Sequence, residues 1–130
     1  MFFPLHILLM AIATPGIIVG VSAAIFFRRR GNWLKIHKSL NLFSFFGVSA
    51  GIIMAIFYVS ETSGKHIGGV HQLIGLAAFI FAGFTLLLGF YQFKAKNKIA
   101  ARATHRLLGR FSLVLLLTAI MLGLKLINII

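Results

Sequence analysis

Four of the five histidines form a nearly regular series: His6, His37, His71 and His105 stand 31, 34 and 34 residues apart, and only His66 falls outside it. Neutral imidazole is a good ligand for haem iron, and two imidazoles on opposed helices fill both axial positions of a porphyrin. Iron held in this way has no open site for oxygen, so the chemistry these residues point to is one-electron transfer. With no cysteine in the chain, iron–sulfur clusters, covalently attached haem, thiolate zinc and disulfides are excluded.

The elements that must position the imidazoles are membrane spans. Of 130 residues, 60% are hydrophobic and 11% charged, with a mean hydropathy of +1.03. That is too little polar surface for a water-soluble globule. Four apolar runs, at about 3–27, 40–60, 73–93 and 107–127, are each long enough to cross a bilayer. One histidine of the series stands at the start of each run. The runs and their short connectors consume residues 1–130 as a single core, which predicts an all-α membrane protein, an antiparallel four-helix transmembrane bundle. The first run lacks the basic start and small-residue cleavage site of a leader, so it is expected to remain as the first span.

Thirteen Lys and Arg against one acidic residue give a formal charge of +12. Five of these cations lie in the first connector and six between Lys94 and Arg110, whereas the second connector holds only Lys65, beside Glu61. Basic residues confined to connectors do not make a nucleic-acid surface. They make a topology signal, which predicts the first and third connectors in the cytoplasm and both termini extracytoplasmic. His6 and His71 then lie toward the outer face, and His37 and His105 toward the cytoplasmic face. In a bundle of sequential antiparallel neighbours each of these pairs is diagonal, so the expectation is two non-covalent haems b at two depths, His6 with His71 and His37 with His105.

Haem propionates and a small anionic electron donor would both be met on the cytoplasmic side by Lys35, Lys38, Arg102, Arg106 and Arg110, with lipid head groups as the other counter-ions. Only Lys65 and Lys125 are available at the outer face. His66, next to Lys65, is expected to be solvent-exposed.

Small residues recur at fixed offsets from the histidines. Gly75 and Gly109 follow His71 and His105 by four residues, and Gly89 and Gly123 follow them by eighteen. The eighteen-residue offset from His6 and His37 gives Ala24 and Ala55. Eighteen residues is five helical turns, about 27 Å along the same face, so each helix is expected to carry a ligand at one end and clearance for a porphyrin at the other. The competing reading is close helix packing, for which Gly16 with Gly20 and Gly47 with Gly51 have the small-xxx-small spacing.

His71-Gln-Leu-Ile-Gly75 with Gly89-Phe90, and His105-Arg-Leu-Leu-Gly109 with Leu122-Gly123-Leu124-Lys125, resemble the last two core helices of the cytochrome b561 family. His6 with Met10 four residues later resembles the start of its first core helix, and Lys35-Ile-His37 the basic approach to its second. The resemblance spans nearly the whole chain. It implies a di-haem transmembrane electron carrier with the same two ligand pairs, ascorbate as cytoplasmic donor, and monodehydroascorbate or a ferric chelate as acceptor. Gly69-Val70 and Leu73 stand where ascorbate-recycling animal members have Ser-Leu and Trp. A core of this kind is compatible with a homodimer and with a separate extracytoplasmic redox partner.

Three other classes share part of this pattern. A quinol-oxidising b-type subunit shares the ligation and differs in its donor. A small four-helix transporter would need an intramembrane carboxylate, but the one acid, Glu61, is at a helix end. A structural membrane subunit without haem would leave the histidine spacing without a purpose.

Overall fold

A computed structural model describes residues 1–130 as four helices without strands: α1 (Phe2–Phe26), α2 (Trp33–Thr62), α3 (Val70–Tyr91) and α4 (Lys98–Leu126). All four are long and apolar enough to cross a membrane. They fall into two compact units, Met1–His66 and Ile67–Ile130, each a helical hairpin: α1 packs on α2, and α3 packs on α4.

The helices α2 and α4 begin well before the apolar runs expected at 40 and 107, at Trp33 and Lys98. The physical reason lies in residues 33–39 and 98–106, which are polar and basic but carry no proline or glycine. Hydropathy alone reads such a segment as a connector, whereas its helix propensity is good. Asn97 caps α4, its Oδ1 accepting from the Ala100 N–H at 3.0 Å. At the other turn α2 ends where Gly64, at φ +65, donates to the Val59 carbonyl at 2.8 Å, a left-handed termination that glycine takes without steric cost. The Gln72 Oε1 then accepts from the Gly68 and Gly69 N–H groups at 2.7 and 2.9 Å, fixing the start of α3 immediately before His71.

Both hairpins meet through small residues. In the first, Ala13 and Ser44 are each 1% exposed; in the second, Ala78 is 1% and Ser112 8% exposed. Each lies seven residues beyond the histidine of its own helix, so a histidine and the deepest contact share one seam. A side chain added at Gly16 would collide with the Ser44 hydroxyl, and one added at Gly47 would come within 3.1 Å of the Ala13 methyl. Small residues at these positions are what let the backbones approach. Aromatic pairs close the seams: Phe2 with Phe57 and Phe3 with Tyr58 in the first hairpin, and Phe81 edge-on to Phe111 in the second. Many large apolar side chains of the hairpins are exposed, among them Leu8, Ile12, Phe43, Phe46, Phe84 and Leu87.

Candidate functional site

All four histidines of the series are half-buried on the seam of their hairpin, and each makes the same contact. The Nδ1 of His6 is 2.8 Å from the Gly51 carbonyl, and that of His37 is 2.9 Å from the Gly20 carbonyl. In the second hairpin His71 Nδ1 is 2.8 Å from the Ala119 carbonyl and His105 Nδ1 is 3.0 Å from the Thr85 carbonyl. A carbonyl only accepts, so each Nδ1 must carry the proton. In the neutral ring the lone pair then sits on Nε2, the nitrogen offered to a metal. A backbone partner of this kind fixes the orientation of a ligating imidazole and raises its basicity.

The acceptors obey one rule. Gly20, Gly51, Thr85 and Ala119 each follow the histidine of their own helix by fourteen residues. One antiparallel register per hairpin therefore makes both of its bonds, and each hairpin holds an imidazole at either end, separated by about 21 Å of helix.

The same register explains the small residues at the eighteen-residue offset. A side chain at position i+4 of a helix leans back over the carbonyl of residue i, and here that carbonyl is the one the imidazole approaches. A Cβ placed on Gly89 would stand 3.0 Å from His105 Cε1 and 3.4 Å from its Nδ1; one placed on Gly123 would meet His71 at the same two distances. The space expected at Gly89 and Gly123 for a porphyrin is thus taken by the imidazole of the partner helix. Ala24 and Ala55 occupy the equivalent places in the first hairpin, four residues after Gly20 and Gly51.

Gly75 and Gly109 have different surroundings. Nothing stands within 4 Å of a Cβ built on Gly75, and only the Thr85 methyl, at 3.4 Å, meets one built on Gly109. Each lies four residues, one helical turn, after a histidine of the series. The donor set and these openings fit haem, with His6, His37, His71 and His105 as the residues that would hold it.

Lys35 and Lys38 are exposed and flank His37 on α2, and Arg106 and Arg110, also exposed, follow His105 on α4. The Arg106 Nε donates to the Arg102 carbonyl at 3.2 Å. His66 is exposed, with Nε2 3.5 Å from the Ser60 hydroxyl. Sequence reasoning did not single out the four acceptor carbonyls or Asn41, whose amide reaches His37. The regular small residue at the eighteen-residue offset was the available signal for the former, because it marks the carbonyl one turn before it.

Apolar helices that hold four imidazoles in one repeated contact have a donor set that fits a membrane cytochrome of the b type. The chain belongs to the cytochrome b561 family: the model described as eukaryotic cytochrome b561 matches residues 5–129. No curated protein and no solved structure matches the chain. Membership makes the chain an integral, multi-pass membrane protein of transmembrane electron transport on haem b.

Proposed function

We propose that the chain passes single electrons from a cytoplasmic reductant of the ascorbate type to an extracytoplasmic acceptor, monodehydroascorbate or a ferric chelate. In this reading residues 1–130 act as one core with both termini extracytoplasmic. It holds two haems b, one between His6 and His71 and the other between His37 and His105. Haem bound by these residues would supply a reversible one-electron couple.

The observation that supports this reading is the shared register: four imidazoles, each with its proton directed to a carbonyl and its Nε2 left as the basic nitrogen, in two levels per hairpin. The carbonyls hold each ring in one orientation, so ligand geometry changes little with oxidation state. Gly89 and Gly123 admit the rings, and Gly75 and Gly109 leave room beside two of them. Lys35, Lys38, Arg106 and Arg110 neutralise propionates and draw a small anionic donor to the same surface. The lipid-facing side chains keep water from the ligands. A second copy of the chain, or a separate redox protein at the outer face, is compatible with this arrangement.

Haem content and kinetics test the reading. Purified protein is expected to be red, low-spin in both oxidation states, with haem per chain near two. Replacing His37 or His105 by Ala should remove the same one haem and spare the other; loss of both or neither would contradict the pairing. Stopped-flow mixing with ascorbate should reduce the protein rapidly. Slow reduction by ascorbate with fast reduction by a quinol would replace the donor assignment.

A further inference from the structure

The second hairpin carries a groove that electron transfer does not use. Its volume is about 350 Å³, and it is lined by Phe81, Phe84, Leu87, Leu88 and Tyr91 of α3 and by Leu108 of α4. Phe81, Leu88 and Leu108 are half-buried and lie deeper; Phe84, Leu87 and Tyr91 are exposed and border the opening. The Phe81 ring is held edge-on to Phe111, with centroids 4.9 Å apart. The phenol of Tyr91 is the one polar side-chain group of the lining, and it stands at the last residue of α3. Phe81 and Tyr91 are ten residues apart, about 15 Å of helix, which is half of a hydrocarbon core of roughly 30 Å. The groove is therefore as long as one leaflet is deep.

The residues at its polar end decide what fills it. Lys94 follows Tyr91 by one turn, and its backbone N–H donates to the Tyr91 carbonyl at 2.9 Å. The Ala95 N–H donates to the same carbonyl at 3.0 Å, so the turn that carries Lys94 is fixed, with Lys94 itself exposed. Residues 94–110 hold six Lys and Arg and no Asp or Glu, and the one acid of the chain, Glu61, belongs to α2. A neutral sterol or a zwitterionic phospholipid would match the apolar length and leave this charge unanswered. A phospholipid with a net negative head group answers both, because an ammonium on a long apolar stem can meet a phosphate at the level of Tyr91.

We propose that this groove binds one anionic phospholipid, with an acyl chain along Phe81, Leu88 and Leu108 and its phosphate paired with Lys94. Leu108 stands three residues after His105, so the bound chain packs on the helical turn that carries this imidazole.

Native mass spectrometry of the full-length protein tests this, after removal of endogenous lipid and titration with dioleoyl phosphatidylglycerol or dioleoyl phosphatidylcholine in one detergent. One phosphatidylglycerol should bind per chain, about tenfold more tightly than phosphatidylcholine. Leu88→Trp, or Leu108→Phe on the other helix, fills the groove and should weaken phosphatidylglycerol about tenfold. Lys94→Gln should weaken it about fivefold and leave phosphatidylcholine unchanged. Leu8→Trp, at an exposed position of α1, should change neither. Equal binding of the two phospholipids, or tighter binding of cholesterol than of phosphatidylglycerol, would overturn the proposal. So would phosphatidylglycerol binding that both groove-filling variants leave intact while their helix content by circular dichroism matches the parent.

Discussion

The two hairpins make the same hydrogen bonds with different residues. In the first, the accepting carbonyls belong to glycines, Gly20 and Gly51, the next turn carries Ala24 and Ala55, and the position below each imidazole carries Asn41 or Met10. In the second, the carbonyls belong to Thr85 and Ala119, and glycines stand both one turn after the carbonyl, at Gly89 and Gly123, and one turn below the imidazole, at Gly75 and Gly109. An imidazole needs a fixed amount of room to reach a helical carbonyl. The first hairpin removes a side chain at the carbonyl itself, and the second removes it one turn further on. The register is therefore the constant feature, and the glycines are alternative ways of permitting it.

The largest way to break this equivalence is to fill the second hairpin's clearance. Gly89→Val and Gly123→Val put branched carbons where the His105 and His71 rings lie, and overpacking of this kind cannot be relieved by a rigid ring held to a carbonyl. Each variant should bind about one haem per chain instead of about two, measured by pyridine haemochrome against protein concentration. Two haems retained would show that the imidazoles do not depend on these glycines.

A smaller effect separates the two kinds of glycine in the second hairpin. Gly75→Ala meets nothing in the protein, so the haem-free protein should be as stable as the parent or more so by about 0.5–1 kcal/mol, the helix-propensity gain. Haem affinity should nevertheless fall. A haem-free protein destabilised by this change would assign Gly75 to protein packing.

The smallest effect compares the two serines at the hairpin midpoints. The Ser112 hydroxyl donates to the Gly109 carbonyl at 3.2 Å, whereas the buried Ser44 hydroxyl has no hydrogen-bond partner. Ser44→Ala should raise thermal stability, by about 1 kcal/mol, because it removes an unpaired buried group. Ser112→Ala should lower stability by a comparable or smaller amount. The reverse order, read from thermal unfolding in detergent, would show that Ser44 finds a partner.

Much of this is legible in the sequence. Apolar runs separated by cationic connectors announce four spans, and a histidine at the start of each is visible as a repeat. The early starts of α2 and α4 were not visible, because hydropathy marks the part of a helix that needs lipid and ignores basic turns that fold as helix in water. The small residues at the eighteen-residue offset were visible, but their cause was not. The spacing reads as room for a porphyrin, and the structure puts an imidazole beside Gly89 and Gly123. A backbone carbonyl has no residue type of its own, so its role leaves only the indirect mark of a small side chain one turn later. Asn41 was missed for a related reason: a polar residue in a span carries no signal of which neighbour it addresses.

The central claim is that each of the four imidazoles keeps its proton on Nδ1, directed to the carbonyl fourteen residues along the partner helix, and binds iron through Nε2. Nitrogen-15 NMR of the diamagnetic reduced protein, labelled at histidine, reads this directly. The account predicts four slowly exchanging Nδ1–H signals from iron-bound rings, of which the same two are lost in His37→Ala and His105→Ala and the other two in His6→Ala and His71→Ala. Protons found on Nε2, or fewer than four iron-bound rings in haem-saturated protein, would contradict it.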